Sequence, residues 1–382
     1  EGPSPLQTFT HRLQAHNPAY FTASSPLFSY SSTAGKTAQA ILQPPAPAPA
    51  AAAAPAAAPA PSSPTIHVGL HELISFFKNP AEYYFTKILK ASLSTGDDIM
   101  LEDTEPFASD TLQNWQVRKR LIDSLAAGED DSARQRILAE LTANGNAPFG
   151  PAGQKWFAEL RDEAEALINQ SPGNHLPILK DILVAQKSLT RTEFRVSIPV
   201  RDIQVELSGF DRLHPACGIV HFQPSSAQPH KHIGTWLTHL LVNADPSSSR
   251  PCSCSVMRKK AELDPLHFAP FKSPADAQNI LAAYLEIFLY QSAPPPRYTP
   301  DTAWAFVEQF HGKGKTQDVS LREAKGKWEN PYGGSSFQGE ANPYYLQLYG
   351  ADGPFEPFDK FRSAAEKIIL PMWRHLNPED PA

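Results

Sequence analysis

The carboxylate of Asp211, in Gly209-Phe210-Asp211-Arg212-Leu213, comes just before a short apolar strand, Gly218-Ile219-Val220-His221-Phe222-Gln223. A β-hairpin that ends on an acidic residue, followed by a strand and an amphipathic helix, is an arrangement suited to metal-dependent phosphodiester hydrolysis. In that chemistry two carboxylates hold Mg²⁺, and a lysine two residues beyond the second positions or activates the attacking water. Here His221 and Gln223 stand where the second carboxylate and the lysine belong. Neither brings the charge that the chemistry needs. A shift of register restores nothing, because Arg212 to Ala244 contains no Asp or Glu and a single lysine, Lys231. Mg²⁺ demands several hard oxygen ligands, so Asp211 alone should hold it weakly. The segment is expected to be non-catalytic, with the space of the missing metal closed by His221, Phe222 and neighbouring apolar side chains. A plainer reading stays open: three strands and a helix occur in many α+β domains, and Gly-x-Asp before a turn can simply cap a loop.

Other chemistry is weaker. The formal net charge is -6, which argues against an autonomous DNA binder, since affinity for a polyphosphate comes mainly from Lys and Arg. Local basic patches remain as possible DNA contacts at Arg118-Lys119-Arg120, at Arg258-Lys259-Lys260 and between Lys313 and Lys327. Such runs are more often solvated faces. His230, His232, His239, Cys252 and Cys254 match no standard zinc spacing, so no metal site is expected. Cys217 lacks the context of a nucleophile, and no Gly-x-Ser-x-Gly elbow occurs. Gly312-Lys313-Gly314-Lys315-Thr316 lacks the first glycine of a phosphate-binding loop. Three cysteines, two in a C-x-C pair, fit reduced thiols in the cytoplasm better than a disulfide framework.

The elements that must position these residues follow from periodicity. Leu70, Leu73, Ile74 and Phe77 share a helical face, and Asn79-Pro80 ends that helix and starts another. Helices are expected over 110–126, 131–143, 152–169, 230–243, 274–290, 301–310 and 357–375. Phe194, Val196 and Ile198 alternate with polar residues, as do Ile203, Val205 and Leu207, predicting an antiparallel pair. A third strand covers Gly218 to Gln223. The fold class is α+β, mainly helical with a small mixed sheet and a degenerate restriction-endonuclease-like (PD-(D/E)XK) core. Three regions are expected: 1–35 as the end of a preceding domain, 36–64 as a Pro/Ala-rich linker, and 65–382 as the folded domain. The opening on Glu1 suggests a piece of a longer protein. No run reaches the roughly 20 apolar residues of a membrane span, and no signal peptide is evident.

From about Ile66 to Asn377 the chain resembles the C-terminal region of the RecC family, the gamma chains of exodeoxyribonuclease V. The resemblance is carried by Leu70-His71-Glu72-Leu73-Ile74-Ser75-Phe76-Phe77-Lys78-Asn79-Pro80 with the aromatics Tyr83 to Phe85, Glu105-Pro106-Phe107 and the turn Gly145 to Gly153. It continues through Gly209-Phe210-Asp211, Trp236-Leu237-Thr238-His239-Leu240, Glu340 to Tyr345 and Ile369-Leu370-Pro371. Pro5 to Phe9 and Leu27 to Tyr30 look like the exit from that family's inactive helicase-like region, whereas the Pro/Ala insertion at 43–64 is longer than is usual there. The resemblance implies a pseudo-nuclease domain that is not itself an enzyme. It further implies RecB and RecD as partners, contact with forked duplex DNA through the assembled complex, and Mg²⁺ and ATP bound by those partners. It implies a strand-splitting pin as well, which the residues do not locate; Asn243 to Lys260 and Gly326 to Tyr345 are candidate segments, although aromatics such as Trp328 and Tyr344 more often anchor a loop to the core. A surviving metal-dependent nuclease and a purely protein-binding scaffold are the alternatives.

Overall fold

The computed structural model describes residues 17–22, 25, 27–42, 64–93, 111–173, 175–329 and 343–378. They fall into two compact units that divide between Ser62 and Ser63. The first holds a 3₁₀ turn, Pro18–Phe21, opened by the Asn17 side chain accepting from the Ala19 amide, and helix α1 (Ser32–Leu42). Residues 36–42, expected as the start of the linker, thus belong to a helix. The Pro/Ala stretch 43–63 and the resemblance segments at 5–9 and 105–107 lie outside the described residues.

The second unit runs β1 (Thr65–Gly69), α2 (Leu70–Lys78), α3 (Pro80–Tyr83, continuing as a π turn to Ile88), α4 (Thr111–Ala127), α5 (Asp131–Ala143), α6 (Pro151–Ile168) and α7 (Leu179–Ser188). Next come β2 (Thr192–Val200), β3 (Ile203–Asp211), β4 (Ile219–Ser226), α8 (Pro229–Ala244), β5 (Ser253–Lys259) and β6 (Glu262–Phe268). It ends with α9 (Pro274–Tyr290), α10 (Pro300–Val307, with a π turn to Gly312), α11 (Gln317–Glu329), α12 (Pro343–Tyr349), α13 (Phe358–Ile368) and α14 (Leu370–Leu376). The chain is mainly helical with small mixed sheets.

Among the described residues there are two three-stranded sheets, where the sequence suggested one. In the first, β3 pairs antiparallel with β2 and parallel with β1, in the order β1-β3-β2. In the second, β5 pairs parallel with β4 and antiparallel with β6. The β2–β3 hairpin has the expected alternation: Phe194, Val196, Ile198 and Val200 point inward, as do Val205 and Leu207. Its tight turn puts Arg201 in the left-handed region (φ 53°). Gly209 on β3 is required by packing, because a Cβ there would stand 2.7 Å from Leu70 and 3.0 Å from Leu241. The start of α2 and the last turn of α8 both close onto β3 at this point.

Helix α8 is buried all round from His232 to Ala244 and forms the axle of the main core, together with α2, α9, α10, α13 and α14. Its indole Trp236 donates to the Tyr284 hydroxyl (3.0 Å), which in turn donates to the Ile368 carbonyl. The helix expected over 357–375 is interrupted at Ile369, since Pro371 cannot donate a backbone hydrogen bond and begins α14 instead. A second cluster, built from Val117, Leu121, Phe157, Leu160 and Leu167, joins α4 to α6.

The two candidate pin segments differ in structure. Asn243 to Lys260 contains the end of α8 and all of β5, the central strand of its sheet, whose first five residues are buried. In the other, residues 330–342 lie outside the described residues, while Trp328 and Tyr345 at its edges are buried anchors. Among the described residues no helix is long and apolar enough to cross a membrane.

Candidate functional site

Asp211 ends β3, and His221 sits three residues into β4. Hairpin and strand bring them together although they belong to different sheets. The His221 Nε2 lies 2.7 Å from Asp211 Oδ2, and its Nδ1 lies 3.0 Å from the Thr235 hydroxyl on α8. Because an ionised carboxylate can only accept, Nε2 carries the proton. The other carboxylate oxygen, Oδ1, accepts from the Arg212 amide at 2.7 Å. Both oxygens of Asp211 are thus engaged by donors of the protein. Gln223 lines the adjoining cleft two residues further along β4. Among the described residues no group of three His, Cys, Asp or Glu could hold a metal ion. Thr235, His221 and Asp211 do stand in the order of a nucleophile, a base and an orienting acid, but Thr235 is only 2% exposed, which keeps its hydroxyl from a substrate.

The expected closure by Phe222 does not occur. Val220 and Phe222 pack with Ile182, Cys217, Cys254, Val256 and the α4–α6 cluster, and both also line the cleft without filling it. An open cleft of about 900 Å³ remains beside His221, lined from α2 and α3 by His71, Lys78 and Lys87 and from α8 by Lys231 and Thr235. A second hollow of about 590 Å³ lies on the Asp211 side, under Arg191, Phe210 and Arg212. The two share His71, Ile74, His221 and Thr238 as walls. Burial holds the ammonium groups of Lys78 and Lys231 below the ordinary lysine range. The sequence did not mark Lys78, Lys87, Arg191 or Arg212 as site residues, because only the fold gathers them.

The basic runs have a different fate. Arg118 is buried and paired to Glu163 at 2.7 Å. Lys119 pairs with Asp123 (3.1 Å) and Arg120 with Glu140 (2.7 Å), so the triplet's charges are spent on its own helices. Arg258 is half-buried and binds the Lys260 carbonyl, while Lys259 and Lys260 stand exposed at the β5–β6 turn. Lys313 pairs with Glu308 (2.9 Å). The five histidines and cysteines weighed for zinc separate into different interactions: His232 with Ser255, His239 with Ser253 and the Ala269 carbonyl, His230 with Asp301, Cys252 with the Cys217 carbonyl, and Cys254 with His267.

The RecC C-terminal domain family matches residues 65–311, the span that includes every one of these cleft residues. The chain is 22% identical over 312 residues to the RecBCD enzyme subunit RecC of Escherichia coli (strain K12), which covers 80% of this chain and 26% of that protein. It is 18% identical over 313 residues to the RecBCD enzyme subunit RecC of Buchnera aphidicola subsp. Acyrthosiphon pisum (strain APS), covering 81% of this chain and 27% of that protein. The chain therefore spans about a quarter of the length of the curated relatives it matches. By the extent of the family match, this chain belongs to the RecC C-terminal domain family.

Proposed function

We propose that this chain is the non-catalytic C-terminal module of a RecC-type subunit, and that in a RecBCD-type DNA-repair complex it scaffolds RecB and guides or splits duplex DNA. The observation that carries the non-catalytic part is the Asp211–His221 pair. In the restriction-endonuclease-like reading of the hairpin, β4 and α8, the pair occupies the ground where two carboxylates would hold Mg²⁺. A cationic or N–H-bearing imidazole bonded to the one remaining carboxylate is the wrong donor set for a hard divalent cation. On this reading Mg²⁺ and ATP belong to the partner subunits RecB and RecD, and the compartment is the cytoplasm.

The test is binding of the 382-residue chain to a forked DNA duplex at low and moderate salt with Mg²⁺ present, with cleavage followed in the same tubes. Salt-sensitive binding without cleavage is the expected result. Cleavage that Asp211→Ala abolishes would overturn the pseudo-nuclease reading. Absence of binding would leave a scaffold that contacts protein only.

A further inference from the structure

We propose that the outer edge of β1 (Thr65–Gly69) is a docking site for an extended segment of a partner protein, which adds to the β1-β3-β2 sheet as a further strand with side chains alternately apolar and polar. This goes beyond the role proposed above and does not rest on it: a sheet edge takes a strand whether or not the Asp211–His221 pair marks a former nuclease site.

The first support is a contrast among the four sheet edges of the described residues. On β2 the Arg195 amide donates to Asp245 Oδ2 at 2.9 Å, and Pro199 stands on the same outward alternation. On β4 the Val220 carbonyl accepts from the Gln186 side chain at 2.7 Å, and Pro224 follows along the strand. On β6 the Leu263 amide donates to the Gln170 side chain at 3.0 Å, and Pro265 comes next on that side. Each of these edges is thus closed by a side-chain cap and a proline. β1 has neither: Thr65-Ile66-His67-Val68-Gly69 holds no proline, and among the described residues no side chain caps its backbone. An edge left in that state is where a strand adds.

The second support is the direction of the backbone groups. The Gln204 amide donates to the Pro64 carbonyl at 3.1 Å, so Pro64, Ile66 and Val68 turn their backbone toward β3 while Thr65 and His67 turn theirs away. Those outward N–H and C=O groups recur at the spacing of an extended chain, and another extended chain is the ligand that satisfies them together. The space beside them is open, since a Cβ at Gly69 would meet no atom within 4 Å.

The third support comes from the side chains. Ile66 pairs with the buried Val205 yet is 39% exposed, so the apolar face of the sheet continues past its last strand. An apolar side chain of the incoming strand would cover Ile66, and a polar one would fall beside His67, whose Nδ1 lies 3.0 Å from Glu206. The strand brings no lysine or arginine to meet DNA. A second copy fits poorly as well. β1 against β1 across a two-fold axis would cover little beyond a pair of Ile66 side chains, far from the roughly 800 Å² per partner of a stable interface.

The experiment selects a display library of random twelve-residue peptides on the immobilised 382-residue chain and measures the enriched peptides, fluorescently labelled, by anisotropy. Enriched sequences should alternate apolar and polar residues. His67→Pro removes one outward N–H without touching the ladder to β3, and should weaken the peptides by about tenfold. His67→Thr keeps that N–H and should bind within about twofold of the parent. Should His67→Pro unfold by circular dichroism, the parent chain still decides. Bound peptide should slow hydrogen exchange, followed by mass spectrometry, in the segment around Thr65 and His67 and not in that around Arg195. No enrichment, peptides without alternation, parental affinity in folded His67→Pro, or protection away from β1 would each overturn the docking edge. A dimeric parent that His67→Pro turns monomeric would overturn the partner strand and put a second copy in its place.

Discussion

The His221 imidazole donates through Nε2 to the Asp211 carboxylate at 2.7 Å, joining the end of the hairpin to the neighbouring sheet. The two side chains are partly buried, at 32% and 18% exposure, so the contact is neither freely solvated nor sealed. A hydrogen bond to a charged group in such a place is worth about 1.5–3 kcal/mol. Asp211→Ala should therefore lower stability by about 1–2 kcal/mol in urea titration, with His221→Ala similar and the double variant less than additive. Full additivity would mean that the two residues do not interact in solution.

On the proposed pseudo-nuclease reading, the same geometry should accept a metal once the missing donors are supplied. Replacing His221 with Glu and Gln223 with Lys restores the second carboxylate and the ammonium on the solvent-lined face of β4. The His221→Glu, Gln223→Lys chain should bind Mg²⁺ in the millimolar range by calorimetry, where the parent should give no heat. A silent double variant would mean that Asp211 and position 221 do not define a metal position, and the nuclease-derived reading of this segment would lose its footing.

How much of this was readable without coordinates depends on locality. The β2–β3 hairpin was legible because one buried face imposes a strict two-residue alternation on nearby residues. The α8 helix was legible in the same stretch from its apolar spacing. Strand β1 was not legible, since its five residues become a strand only by pairing in parallel with β3, far along the chain. Nor was β5: as a central strand buried on both faces, Ser253-Cys254-Ser255-Val256-Met257 shows no alternation, and its serines look polar until His232 and His239 bond to them. The cleft cations were invisible for a related reason. Lys78, Arg191, Arg212 and Lys231 come from four separate elements or turns, whereas the contiguous triplet at Arg118 stood out in the sequence and proved to be internally paired.

Gly209 offers a test of the packing that holds the site. A methyl group there would press on Leu70 and Leu241, which are both in the main core. Gly209→Ala should cost about 1–3 kcal/mol in chemical denaturation through overpacking, although Ala suits a strand better than Gly does. The adjacent exposed substitution Phe210→Ala should cost less than about 1 kcal/mol. A neutral Gly209→Ala would show that α2 and α8 can move apart at this point.

The Arg118 triplet separates burial from charge. Arg118 is 5% exposed and binds Glu163 through two nitrogens, at 2.7 and 3.0 Å, whereas Lys119 and Arg120 pair on the surface. Arg118→Ala opens space beside the α4–α6 cluster, while the Glu163 carboxylate stays in reach of water, and should cost about 1–2 kcal/mol. Lys119→Ala should cost below about 0.5 kcal/mol. Neither should change binding to the forked duplex, which a salt series would show directly.

The buried histidines of α8 set the response to acid. His239 accepts from the Ser253 hydroxyl at Nδ1 and donates from Nε2 to the Ala269 carbonyl at 3.0 Å, which fits a neutral ring. Burial, with the nearby His375 adding to it, pushes His239 down to about 3, and burial holds His232 down at about 4. An unfolded histidine takes its proton near pH 6.5. Below that value the unfolded chain binds more protons than the folded one, so stability falls as pH falls. The loss should begin near pH 6.5 and stop growing for each group only below its folded value, near 4 for His232 and near 3 for His239. The urea midpoint should accordingly drop steadily from pH 7 to pH 4. His232→Gln should remove part of that slope, because an amide can keep a hydrogen bond to Ser255 and has no proton to gain. A midpoint equal at pH 7 and pH 4.5 in the parent chain would show that these rings are protonated, or open to water, in the folded state.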